Sequence, residues 1–234
     1  MKPINSIAMD KNAVSRAVIP SPPDVFLVDD DPSVRRALAR LIKSAGHQVQ
    51  TFASAQEFLG TRAGGEEAAC LVLDVRMPGL TGIELQRQLQ TLNRNVPIVF
   101  LTGHGNIPMS VQAMKAGAVD FLPKPVKDTD LLRAIEQALA RALRDRDERN
   151  ELEHARERVE KLTPREREVM VLVVRGLLNK QVAFELGTVE KTIKVHRARV
   201  MEKMQVDSLA DLVRLAEKVG IPAKQIEVRR TVPS

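Results

Sequence analysis

The chain has 234 residues, 44% of them hydrophobic, enough for one or two packed domains. No apolar run approaches the roughly 20 residues a membrane helix needs, and the single cysteine, Cys70, excludes an intrachain disulfide or a cysteine metal cluster. The net charge of +6 is uneven: residues 162–234 carry fourteen basic and nine acidic side chains, which points to a nucleic-acid contact in that part of the chain.

Residues 1–23 are polar, close on "PSPP" and lack the apolar core of a signal peptide. They read as a disordered arm, and the chain as a soluble cytoplasmic protein without a membrane partner. From Asp24 to Lys127, apolar runs alternate with helical patterns. The runs are "VFLV" (25–28), "QVQTF" (48–52), "CLVLD" (70–74), "PIVFLT" (97–102) and "DFLP" (120–123). Runs without polar alternation predict strands buried on both faces of a parallel sheet. Five strand–helix units make a doubly wound (βα)5 fold, whose sites lie at the carboxyl ends of the strands. Asp31 before Pro32 suits a helix N-cap followed by Pro at the first helical position. Ser54 to Glu57 fits a capping box, and Gly46 and Gly117 fall where helices should end.

Those carboxyl ends are chemically loaded. The first strand delivers Asp29 and Asp30, the third Asp74, the fourth Thr102, and Lys124 follows the fifth. Singly, each has a plain structural reading: a cap, a hydroxyl, a surface ammonium. Together, three carboxylates, a hydroxyl and an ammonium would converge on one pocket. Carboxylate oxygens with waters suit Mg²⁺. Asp74 can then attack phosphorus as a nucleophile, with Lys124 neutralising the transferring phosphoryl group and Thr102 hydrogen-bonding one of its oxygens.

Residues 24–140 resemble a two-component receiver domain. "VDDD", "LVLDVRMPGLTG", "LTGHG" and "FLPKP" match its motifs in order. The resemblance implies that Asp29 and Asp30 are the metal-binding pair, with Asp30 the direct ligand and Asp29 acting through water. It implies that Asp74 accepts phosphate from a sensor histidine kinase and that the Arg76 carbonyl joins the metal ligands. It further implies a cis Lys124–Pro125 bond. Phe121 would be an aromatic switch that turns inward as Thr102 moves toward the phosphate. Arg76 and His104, two residues beyond Asp74 and Thr102, are expected to tune the lifetime of the phosphate. Asp31 is left as a helix cap.

From Asp128 to Lys161 the pattern is helical, with an apolar stripe at Leu132, Ile135, Leu139 and Ala142. Opposite charges at i,i+4 follow, with a sparser stripe at Leu152, Ala155, Val159 and Leu162. This reads as the last receiver helix running on into an exposed linker (141–161), either a solvated spacer or a seam between two chains. Thr163-Pro164-Arg165-Glu166 then opens a new all-α domain. Three or four short helices suit a helix-turn-helix over 162–223, followed by a tail at 224–234. In "EKTIKVHRARVMEKM", Lys191, Lys194, Val195 and Ala198 share one face that fits the major groove. Lys194 suits a guanine edge and Val195 a thymine methyl. Arg197, Arg199 and Lys203 lie off that face and suit phosphates or intradomain partners. Ile193, Val200 and Met204 read as core, and His196 as structural or a backbone contact.

Residues 162–221 resemble the LuxR-type helix-turn-helix of FixJ/NarL-like response regulators, through "LTPREREVM", "GLLNKQVAFELG", "KTIKVHR" and "KM". Thr192 is then a phosphate contact, and the last helix supplies a DNA-bound dimer contact, although Leu209, Leu212, Val213 and Leu215 also suit a simple core. One departure stands out: Thr188-Val189 replaces the family's Ile-Ser before the recognition helix. Valine cannot cap as serine does, so either Thr188 takes over or the helix start is uncapped. The resemblance implies a response regulator that is phosphorylated on Asp74 with Mg²⁺, dimerises, binds double-stranded promoter DNA and works with RNA polymerase. Its only catalysis would be its own phosphotransfer and dephosphorylation. The rival readings are a phosphohydrolase of the haloacid-dehalogenase type and a phosphate-independent DNA-binding adaptor. The first expects a second acid two residues after the nucleophile, where this chain has Arg76.

Overall fold

The computed structural model describes residues 24–61, 69–103 and 107–221. The arm at 1–23, the tail at 224–234 and His104 lie outside these. The chain divides into two compact units, between Ala142 and Leu143.

In the first unit, strands β1 (Val25–Val28), β2 (Val49–Phe52), β3 (Cys70–Asp74), β4 (Ile98–Thr102) and β5 (Asp120–Pro123) form one sheet in the order β2-β1-β3-β4-β5. Every pairing is parallel. The intervening helices are α1 (Pro32–Ser44), α2 (Ala55–Leu59), α3 (Gly82–Thr91) and α4 (Ile107–Lys115), and α5 (Asp128–Glu160) follows β5. Alternate strand residues feed opposite faces. Val25, Leu27, Cys70, Val72, Val99 and Leu101 pack with Leu38 and Ile42 of α1 and with Leu131 and Ile135 of α5. Phe26, Val28, Leu71, Leu73 and Phe100 pack with Phe58, Leu85 and Ala113 on the other face. This is a doubly wound, flavodoxin-like arrangement. β2 departs from the expectation of strands buried on both faces: it is an edge strand, and Gln50 and Thr51 are exposed.

Local signals set the boundaries. Asp31 caps α1, accepting from Ser33 N at 2.7 Å and Val34 N at 3.3 Å. Gly46, just past α1, takes φ +94°, a left-handed conformation that favours glycine. Gly82 opens α3 against the end of β3. A Cβ there would stand 2.4 Å from the Asp74 carbonyl oxygen, so the close approach admits no side chain.

The second unit contains α6 (Pro164–Val174), α7 (Asn179–Glu185), α8 (Glu190–Met204) and α9 (Leu209–Lys218). Its core includes Val169, Met170, Val173, Val182, Ile193, Val200, Met204 and Leu212, together with Val159 and Leu162. This limits the expected exposed linker over 141–161 to its first part: residues 143–154 are exposed or half-buried, but the end of the helix belongs to the second unit's core. Ala155, Val159 and Leu162 are all buried. Arg158 donates to Met204 O at 3.0 Å, Arg167 to Val159 O at 3.1 Å, and Lys218 pairs with Glu151 at 2.9 Å. Most of the stripe expected as a seam between chains is therefore occupied within the chain's own core.

Glu166 is buried at the start of α6. It closes a capping box with Thr163 and accepts from Lys203 Nζ at 2.6 Å. The Lys203 hydrogen bond, then the Thr163 N–H, hold its carboxyl down at about 2. A depressed acid stabilises the fold above its unfolded value and ceases to do so as pH falls through the native one. The second unit is therefore expected to lose stability between about pH 4.5 and pH 2, and Glu166→Gln to flatten that loss in melting curves against pH. Lys203→Met, which leaves the carboxylate buried without its cation, is expected to cost about 2 kcal/mol at neutral pH.

Candidate functional site

The carboxyl ends of β1, β3 and β4 and the turn after β5 meet in one acidic cluster. Asp29 is fully buried and Asp74 nearly so, while Asp30 is exposed. Carboxylate oxygens of the three lie within 4.8 Å of one another. Lys124 Nζ bridges the two buried acids, donating to Asp29 Oδ2 and Asp74 Oδ2 at 2.6 Å each. The other oxygens are held by main chain: Asp29 Oδ1 accepts from Asp31 N at 2.9 Å, and Asp74 Oδ1 from Arg76 N at 3.1 Å. Burial pushes the Asp29 carboxyl above the ordinary aspartate range, only partly offset by Lys124. Burial also pulls the Lys124 ammonium down, but its bonds to Asp29 and Asp74 and their charges outweigh this and hold it above the usual lysine range. An all-oxygen set with one exposed carboxylate fits a hard cation that keeps several waters. Asp29, Asp30 and Asp74 are the side chains that would hold Mg²⁺.

Thr102 is buried at the end of β4, and its carbonyl accepts from Lys124 N at 2.7 Å. The Lys124–Pro125 peptide is cis. Phe121 is partly buried against Phe100, with ring centroids 5.9 Å apart. The Arg76 side chain is exposed.

Arg35 is a site residue that no motif marks. From the first turn of α1 its Nη1 donates to the main-chain oxygens of Asp29, at 2.5 Å, and Asp30, at 3.3 Å.

In the second unit, α8 exposes Lys191, Lys194, Val195 and Ala198 along one face and Arg199 off it, and Thr192 and His196 are half-buried. Lys194 pairs with Glu190 at 3.2 Å. Two candidates off the groove-facing side are engaged within the domain. Arg197 donates to Asn179 Oδ1 at 3.2 Å, linking α8 to α7. Lys203 bonds to Glu166 and to Lys161 O, the intradomain partner among its two expected roles: its ammonium neutralises a buried carboxylate. The helix start is the uncapped alternative, since exposed Val189 stands at the N-cap with no side-chain bond.

This pairing of an α/β domain carrying an acidic cluster with a basic helical domain has close counterparts. Residues 25–136 match the response regulator receiver domain, and residues 160–216 the bacterial regulatory proteins of the luxR family. Nodulation protein W of Bradyrhizobium diazoefficiens is 49% identical over 203 residues, covering 87% of this chain and 89% of that protein. The chain belongs to the FixJ-type two-component response regulators. Response regulator protein TodT of Pseudomonas putida is 46% identical over 195 residues, covering 83% and 86% of the two chains. Among solved structures, response regulator StyR shows 52% identity and a TM-score of 0.73, covering 83% of this chain and 98% of that one. Full-length FixJ from B. japonicum shows 44% identity and a TM-score of 0.51, covering 86% and 98%.

This response regulator therefore belongs with transcription regulators and not with the phosphohydrolases. Its receiver brings together five residues expected at the acidic site: Asp29, Asp30, Asp74, Thr102 and Lys124. Asp31 stands apart from them, bonded to the first turn of α1. No helix among the described residues is long and apolar enough to cross a membrane.

Proposed function

We propose that a sensor histidine kinase phosphorylates Asp74, that the phosphorylated receiver dimerises, and that the dimer binds promoter DNA and activates transcription with RNA polymerase in the cytoplasm. The observation that carries this reading is the Lys124 bridge between two buried carboxylates beside an exposed third. An Asp74 carboxylate oxygen attacks the phosphorus of a phosphohistidine. The P–O bond forms as the P–N bond breaks, the imidazole leaves, and an acyl phosphate remains. Lys124 stays within reach of the new phosphoryl oxygens, and Thr102 supplies a hydroxyl to one of them. When bound, Mg²⁺ supplies positive charge against the carboxylates and the incoming phosphoryl group. Phe121 then turns inward as Thr102 moves, and β5 and α4 present an altered face. Two linked recognition helices gain affinity through effective concentration. Lys191, Thr192 and Arg199 hold phosphates, and Lys194 and Val195 read base edges.

The test is phosphate uptake from acetyl phosphate, followed by mass spectrometry and sedimentation, in three proteins. Wild type takes up one phosphoryl group only with Mg²⁺ and then sediments as a dimer. Asp30→Ala is expected to lose the uptake. Asp31→Ala should keep it and melt at a lower temperature, because it removes only a helix cap. Uptake lost in Asp31→Ala with folding intact, or uptake by wild type without Mg²⁺, contradicts these roles.

A further inference from the structure

Asp30 is the acid of the cluster with nothing to hold it. Its carboxylate is exposed, and among the described residues it makes no hydrogen bond or ion pair. Asp29 and Asp74, by contrast, are each pinned by a main-chain N–H and by Lys124. The place of the Asp30 carboxylate is therefore set by its own backbone. That backbone has already left the sheet: the ladder of β1 ends at Val28, and only Asp29 N still reaches across, to Phe52 O at 3.3 Å. The carbonyl oxygens of Asp29 and Asp30 need other partners, and Arg35 supplies both.

We infer that Arg35 is a positioning residue for the metal site: one guanidinium nitrogen fixes the peptide planes that aim the Asp29 and Asp30 carboxylates. The inference rests on the reading of the cluster as a Mg²⁺ site. Arg35 is suited to this by its anchorage. Its own N–H closes the first turn of α1 onto Asp31 O at 2.9 Å, and its half-buried side chain doubles back over the cap. Both bonds leave Nη1, whose two N–H directions are fixed in the guanidinium plane, whereas those of a lysine ammonium rotate freely. Partners behind the ligands of a metal site commonly change its affinity by 10–100-fold. A cation this close also repels Mg²⁺, so the two effects have opposite signs. The bonds to main-chain oxygens, with no carboxylate taken from the metal, make positioning the larger.

The experiment is calorimetric titration of the EDTA-stripped full chain with MgCl₂, for wild type, Arg35→Met and Arg35→Lys. Met keeps most of the aliphatic stem and removes the donors. Lys keeps the charge and one donor group. The expected result is a dissociation constant about 10-fold weaker in Arg35→Met, an intermediate value in Arg35→Lys, and Mg²⁺-free melting temperatures close to wild type. An Arg35→Met affinity within twofold of wild type, or tighter, overturns the inference. Should Arg35→Met not fold, Arg35→Lys decides: binding about threefold weaker supports positioning, and wild-type binding overturns it. If wild type itself binds no Mg²⁺, the failure lies in the metal-site reading and not in the role of Arg35.

Discussion

Asp74→Asn takes up no phosphoryl group from acetyl phosphate, a fall of at least about 10³-fold in covalent phosphate. The expectation follows from what each atom at the site does. Asp74 is nearly buried at the end of β3, with one oxygen on Arg76 N and the other on Lys124. Asparagine fits the same space and can still accept a hydrogen bond. Its amide, however, carries no nucleophilic oxygen that could form an acyl phosphate. Its NH₂ also cannot accept from the Lys124 ammonium, so Lys124 stays with Asp29 and the fold survives. The variant thus separates chemistry from architecture, with mass spectrometry reading the first and melting temperature the second. Residual uptake on another residue would mean that the nucleophile is wrongly assigned. Steady release of inorganic phosphate from small esters by wild type would favour the phosphohydrolase chemistry that Arg76, in place of a second acid, argues against.

The second large effect is expected on α8. Lys194→Ala should weaken binding to the operator by about 1–3 kcal/mol, with little change on random DNA, because a base-edge contact carries discrimination. Lys191→Ala with Arg199→Ala should weaken both DNAs alike. It should also reduce the dependence of log K on log salt by roughly two, since each phosphate contact contributes about 0.9. Lys203→Ala should leave the salt dependence unchanged and act through stability, because its ammonium is held by Glu166. Fluorescence anisotropy on labelled operator and random duplexes, at several salt concentrations, checks all three. A Lys203→Ala slope reduced as much as that of the pair would return Lys203 to the DNA surface.

Much of the receiver was legible because one rule links pattern to place. Unbroken apolar runs mean a parallel sheet, and a parallel sheet gathers its strand ends. Asp29, Asp74, Thr102 and Lys124 could therefore be brought together from positions far apart in the chain. What was hidden lay in contacts that leave no pattern. Arg35 bonds to main-chain oxygen, so no pair of side-chain types betrays it. The stripe of Ala155, Val159 and Leu162 has the spacing of a buried helical face, but spacing does not say whose core it enters. Lys203 falls on a helix side compatible with DNA or with Glu166, and only the packing of α6 decides. The recognition-helix start was a choice between a Thr188 cap and no cap, and the structure takes the second: Thr188 N bonds back to Ala183 O while Val189 occupies the cap position with no side-chain bond.

The central claim is that the chemistry at Asp74 controls occupancy of DNA by the second domain. Genome-wide footprinting of wild type against Asp74→Asn, under conditions in which wild type carries phosphate, tests it directly. Discrete protected sites are expected for wild type, and their loss, or a uniform weakening to near background, in Asp74→Asn. The same sites protected to the same extent in both would contradict it.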